Sequence, residues 1–133
     1  MATEAALKND QACSAGEEFQ KLYYESFDKK SRSLLDKLYM DTARMVWNGN
    51  VLEGSKKIIE FLENLPVSVH TIDLLDCHPI LESVTNGQTS IMVVVGGKVK
   101  FEGNREFPFN ENFILTSQQG KWKIISNTFR YFE

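Results

Sequence analysis

Residues 91–95 read IMVVV, five apolar positions in a row. In an antiparallel sheet with one solvated face, apolar and polar residues alternate, because successive side chains point to opposite faces. Here both faces of the strand are apolar. The runs FIL at 113–115 and WKII at 122–125 repeat the tendency, so a sheet built from these strands needs cover on two sides. Two readings stay open: a partner chain covers the second face, or the sheet curls tightly enough to bury both sides of its central strands within one molecule. The partner chain is the expectation.

Upstream of that strand the chain starts helical. From Asp10, a side chain suited to capping, Ala12, Ala15, Phe19, Leu22, Tyr23 and Phe27 recur at three- and four-residue steps. This predicts an amphipathic helix of about five turns. Ser31 or Ser33 can cap a shorter second helix with Leu34, Leu35, Leu38 and Tyr39 on its buried side. Residues 39–47 then alternate, with Ala43, Met45 and Trp47 on one face of a strand and Thr42 and Arg44 on the other, and Asn48-Gly49 supplies a tight hairpin turn. A third helix follows Gly54, with Ser55 as its expected cap; it buries Ile58, Phe61, Leu62 and Leu65 and stops before Pro66. Extended runs over 67–80, 89–101, 107–119 and 121–132 complete the chain, with Asn86-Gly87 as a hairpin signal between the first two. The Gly96-Gly97 pair predicts a bulge or turn inside the sheet. Helices first and antiparallel strands afterwards make an α+β fold, three helices on one face of a mostly antiparallel sheet. One domain is expected over residues 10–133, after a mobile lead-in at 1–9.

The chain has 133 residues and a formal charge of −3. Phosphate binding is driven by clustered Lys and Arg; the basic clusters at Lys29, Lys30 and Arg32 and at Lys56 and Lys57 each sit beside acids, so no direct nucleic-acid contact is expected. No apolar run approaches the roughly twenty residues that span a bilayer, and the first residues lack a basic stretch followed by an apolar one. The expected setting is cytosolic, nuclear or both, with no membrane. Cys13 and Cys77 lie far apart, in different elements, and carry neither a disulfide framework nor a metal spacing. Reduced, packed thiols are expected, with no metal and no cofactor.

The best acid/base candidates are Asp76 and His78, two apart on a strand and therefore on one face. A carboxylate beside an imidazole can orient it and raise its pKa, as a general base requires; the plainer reading is a strand-end hydrogen-bond pair before Pro79. Trp47 can floor a ligand cavity with Tyr23, Tyr39 and Phe109 as walls, or pack as core. His70 reads as a packed or surface histidine rather than a ligand.

The blocks VWNGN at 46–50, DCHP at 76–79, VKFEGN at 99–104, FNENFILT at 109–116 and WKIISNTFRY at 122–131 together resemble the nuclear transport factor two family, in its export-related branch. That branch pairs with the mRNA export receptor TAP. The resemblance implies a cone, a curved sheet wrapped around helices, with a cavity at the open end and an outer sheet face used for dimerisation. It implies a non-enzymatic adaptor shuttling through the nuclear pore, with phenylalanine-glycine nucleoporins met through the complex. The family register puts Ile91, Val93 and Val95 on the outer, docking face, and Arg130, which shares its side of the final strand with Thr128, on the same face; Leu115 is expected among the partner-binding residues. Arg130 would meet a carboxylate of the partner. The alternatives are a homodimeric carrier of Ran-GDP, disfavoured because the matching rim positions are Asn48, Glu102 and Asn104, and a small lyase or isomerase using Asp76 and His78 beneath Trp47.

Overall fold

The computed structural model describes residues 3–29, 32–80 and 88–132; the expected Ser31 cap and the Asn86-Gly87 hairpin lie outside them. Helix α1 runs Glu4–Asp28. It starts upstream of Asp10, because Glu4, Ala5, Ala6 and Leu7 are good helix formers, so the segment expected as a lead-in is helical from residue 4. Ala12, Phe19, Tyr23 and Phe27 are buried, as steps of four and seven require of one helical face. Leu22 is not: it lies off the buried line and is 51% exposed.

The second helix is a 3-10 segment, Arg32–Leu38, in which Leu35 is buried while Leu34 is 50% exposed. Tyr39 already belongs to strand β1 (Tyr39–Trp47), which turns through Asn48 and Gly49 into β2 (Asn50–Glu53). Helix α2 spans Ser55–Glu63 and buries Ile58 and Leu62. Ser55 is its first residue and Gly54 its cap position, with no side-chain cap bond, contrary to the expected serine cap. Buried Arg32 ties the helical ends together: its guanidinium donates to the carbonyls of Phe27, Leu62, Leu65 and Pro66 and reaches Ser68 Oγ. These carbonyls lie at helix ends and turns, where backbone acceptors run short of partners, and one cation serves all four.

Strands β3 (Ser68–Ile80), β4 (Ser90–Phe101), β5 (Glu106–Gln118) and β6 (Lys121–Tyr131) complete one six-stranded sheet in the order β2-β1-β6-β5-β4-β3. Among the described strands β1 and β6 alone run parallel. The ladder from β4 to β5 is unbroken, with Ile91 opposite Leu115 and Val93 opposite Phe113. Phe113 packs edge-on against Phe19 at 5.1 Å and Tyr23 at 4.8 Å, which fixes this side of both strands under α1.

That register corrects the expected faces. Ile91, Val93, Val95 and Leu115 are buried at 0–2% exposure and point towards the helices, not outward. α1 approaches so closely that a Cβ at Gly16 would lie 2.0 Å from Cys77 Sγ and 3.5 Å from Val93 Cγ2. The large apolar residues of β4 and β5 that face outward are Met92, Val94 and Ile114, all half-buried. Both faces are apolar, as IMVVV requires, but the assignment is the reverse of the expected one.

The predicted bulge sits across from the glycine pair rather than on it. Ile72 pairs with Gly97 and Leu74 with Gly96, leaving Asp73 as the extra residue of β3. This inserts one step into the alternation of β3. Before it, His70 and Ile72 pack inward; after it, Leu75 and Cys77 do. Leu74, Asp76 and His78 therefore face out. A Cβ at Gly97 would lie 1.9 Å from the Thr71 carbonyl oxygen, so the bulged backbone fits only against a residue without a side chain. Gly97→Ala is expected to destabilise the protein by about 3 kcal/mol, the upper range for overpacking, measured by urea unfolding; an unchanged midpoint would mean that the strands separate there at no cost.

Candidate functional site: the outer sheet face

Successive cross-strand pairs lay out the face away from the helices. Arg130, Asn110, Gly96 and Leu74 form one row; Val46, Thr128, Asn112, Val94 and Asp76 the next; Arg44, Ser126, Ile114, Met92 and His78 a third. Met92, Val94, Ile114 and Leu74 make an apolar band, and Leu74 is 66% exposed. Leucine at such exposure beside further apolar neighbours is what a docking surface presents.

Charge lies at the edges of this band. Arg44 pairs with Glu53. Arg130 and Thr128 are exposed on the expected face; the guanidinium of Arg130 lies over the Gly49 turn, and no carboxylate meets it among the described residues. Asp76 and His78 share the face, as their spacing demands, but they are exposed and His78 Nδ1 turns to the carbonyl of Pro79, 3.2 Å away. The bulge has carried this pair to the side opposite Trp47, so it cannot serve a site beneath the tryptophan.

The expected cavity is filled by aromatic rings. Trp47 stacks on Phe129 at 4.0 Å and is flanked by Phe27, Phe61 and Phe101. Phe109 stacks on Phe129 at 5.5 Å, and the Tyr39 hydroxyl shares a 2.9 Å hydrogen bond with that of Tyr23. All three candidate walls are core. Asn48, read as a rim position, accepts the Tyr131 N–H at 3.0 Å, while Glu102 and Asn104 are exposed.

A buried polar cluster escaped the sequence reading. Glu111 is 1% exposed, between Phe109 and Phe113 on the inward side of β5. It accepts from the Tyr24 hydroxyl and from Asn127 Nδ2, each at 2.8 Å. Burial pushes its carboxyl up to about 8, against the pull of those two bonds. Burial, and next the proximity of Glu111, raises the Tyr24 phenol as well. The signal was present in FNENF: two-residue alternation puts the glutamate on the same side as the phenylalanines. Nearby, buried His70 holds Asp28 through its ring at 2.7 Å and its N–H at 2.8 Å. Burial raises the Asp28 carboxyl, but the bonds from His70 and Ser68 outweigh it and hold the group below its ordinary value.

Cys13 and Cys77, distant in sequence, come together: the Cys13 thiol lies 3.8 Å from the Cys77 carbonyl and both thiols are free. Burial, with the neighbouring Cys13, pushes the Cys77 thiol up to about 11, which disfavours the reactive thiolate. Among the described residues no three His, Cys, Asp or Glu side chains converge on a metal-sized site.

Comparison with known proteins places this geometry. The family model of the nuclear transport factor 2 (NTF2) domain matches residues 15–131. NTF2-related export protein 1 of Bos taurus is 49% identical, over 91% of this chain and 89% of its own length; NTF2-related export protein 2 of Homo sapiens is 44% identical, over 98% and 96%. Nuclear transport factor 2 from Cryptosporidium parvum superposes with a TM-score of 0.80 at 25% identity, over 93% of this chain and 97% of its own. The Candida albicans Mtr2–Mex67 M domain complex contains a chain of the same fold, TM-score 0.74 at 15% identity, over 91% and 96%. By its match over residues 15–131 and its near-complete overlap with the two export proteins, the chain belongs to the NTF2 domain family.

Proposed function

We propose that this chain is a non-enzymatic nuclear export adaptor that docks, sheet against sheet, with an mRNA export receptor of the TAP type and travels with it between nucleus and cytoplasm. The observation that carries the reading is the apolar band of Met92, Val94, Ile114 and Leu74 on the face the helices leave open. The names of the similar export proteins agree with it, as does the pairing of Mtr2 with Mex67 in a complex of like fold. Nucleoporin contact then belongs to the assembled complex.

Arg130 supplies partner choice. A guanidinium at the end of an apolar face favours a receptor that brings a carboxylate and opposes two-fold self-docking, in which like charges approach. Carriage of Ran-GDP is the weaker reading, because the Trp47 pocket is filled by Phe27, Phe61 and Phe129 and Asn48 is engaged by the chain itself. The enzyme reading is weaker still: Asp76 and His78 stand on the exposed face, and Glu111 is sealed among Tyr24, Asn127 and the phenylalanines, which leaves a general acid without substrate.

Paired substitutions on neighbouring residues test the face. Val94→Glu is expected to leave the chain folded by circular dichroism and to weaken the heterodimer about 100-fold, since an unpaired carboxylate in the interface costs several kcal/mol. Val93→Glu, beneath α1, is expected to unfold it instead. A Val94→Glu chain that binds the receptor with unchanged affinity contradicts the proposal. Arg130→Asp is expected to weaken the heterodimer, with partial recovery when the receptor's facing carboxylate is replaced by arginine; calorimetry showing no change on Arg130→Asp would reduce the arginine to ordinary surface.

The sealed carboxyl makes a separate prediction. The Glu111 carboxyl titrates near 8 when folded and near 4.3 when unfolded, so between these values only the folded form holds the proton. The stabilisation is complete below the lower value and is lost as pH rises through the upper one. Glu111→Gln removes this titration, so the fall in Tm between pH 5 and 8 is expected to be smaller in the variant, with receptor binding unaltered. Parallel pH profiles for the two proteins would refute the assignment, and loss of receptor binding in a folded Glu111→Gln chain would show that the cluster does more than hold the core.

A further inference from the structure

The periodic stripe of α1 includes one large residue that the helix does not use for packing. Leu22 is 51% exposed and opens onto a groove of about 450 Å3 between α1, the 3-10 helix and the start of β6. Its apolar lining comes from Phe19, Leu22, Leu38 and Trp122. That volume lies in the ordinary range for sites that take up side chains or small ligands.

The border of the groove is basic. Among the described residues Lys37, Lys121 and Lys123 line it with one acid, Glu18, in a chain whose net charge is −3. Lys121 and Lys123 stand on either side of Trp122 in the sequence of β6 and border the groove with it. At physiological salt, charges so placed act on an occupant within about 8 Å. Single-stranded nucleic acid prefers a continuous cationic track with several exposed aromatic platforms; here Phe19 is buried and Trp122 half-buried, beside Leu22 and Leu38 and with a carboxylate on the rim.

We propose that this groove binds short acidic peptide segments that carry a large apolar side chain, with the side chain on Phe19, Leu22 and Trp122 and the flanking carboxylates towards the lysines. The groove shares no residue with the apolar band of Leu74, Met92, Val94 and Ile114, so the two surfaces are separate. It stands whether or not the receptor reading holds.

Fluorescence anisotropy with labelled peptides of about twelve residues tests it, using the chain alone and the chain in its receptor complex. The probes carry a central Leu, Phe or Trp between Asp and Glu residues; controls are the same peptides flanked by Lys, neutral Phe-Gly peptides, and an oligothymidine strand of similar length. The acidic peptides are expected to bind saturably and about tenfold more tightly than the controls, with affinity falling as salt rises. Leu22→Glu, on an exposed position that leaves the fold intact, is expected to abolish binding, and Lys37→Glu with Lys121→Glu to reduce it about tenfold. Absence of saturable binding by the acidic peptides, equal binding of the neutral ones, or affinity untouched by Leu22→Glu overturns the proposal. Binding of oligothymidine alone overturns it in favour of nucleic acid.

Discussion

The two-residue alternation of a strand, held without interruption across the β4–β5 ladder, decides most of what this molecule is. With Phe113 fixed against Phe19 and Tyr23, every odd-numbered position from Ile91 to Val95 must lie under α1, and every even one must face away. Five apolar residues in a row cannot all be satisfied by three helices. The helices take one side, and the band of Met92, Val94 and Ile114 is left for something else.

A single inserted residue sets the composition of that band. Asp73, bulged opposite Gly96 and Gly97, shifts β3 by one step, so Leu74 joins the outer face while Leu75 and Cys77 close over the core. Without the bulge Leu74 would point inward and the partner-side surface would lose its most exposed apolar residue. The inner side is completed differently, by polar groups bonded to one another: Arg32 on four carbonyls, His70 on Asp28, and Glu111 held by Tyr24 and Asn127, with His70 Nε2 and Asn127 Oδ1 left without a partner among the described residues. Each ties a helix to the sheet, and Glu111 in particular is sealed from solvent.

Much of the fold was legible in the sequence because its elements carry strong, separate signals: Phe19, Tyr23 and Phe27 at steps of four, Gly and Pro at the borders of α2, and long extended runs that match β3 to β6 within a residue or so. What failed was absolute facing. Alternation groups Ile91 with Val93 and Val95, but it cannot say which group faces the helices; that depends on a contact such as Phe113 on Phe19, which no local pattern contains. The bulge was misplaced for a related reason, since the glycines that permit it lie on the strand opposite the one that bulges. Glu111 was legible in FNENF and was overlooked. Arg130 and Thr128 lie on the outer side that the family register implied: beyond a bulge at Ile125, β6 alternates from Asn127 on between buried Asn127 and Phe129 and exposed Thr128 and Arg130.

The central claim is that the sheet face away from the helices is the docking surface, and side-chain footprinting tests it most directly. Carbene labelling of the chain, free and in its complex with the export receptor, reads Leu74, Met92 and Leu22 in one experiment. The account predicts that Leu74 and Met92 lose most of their labelling in the complex while Leu22 keeps its own. Protection of Leu22 with Leu74 and Met92 still labelled would contradict it, because the receptor would then sit on the helices and the apolar face of the sheet would remain open.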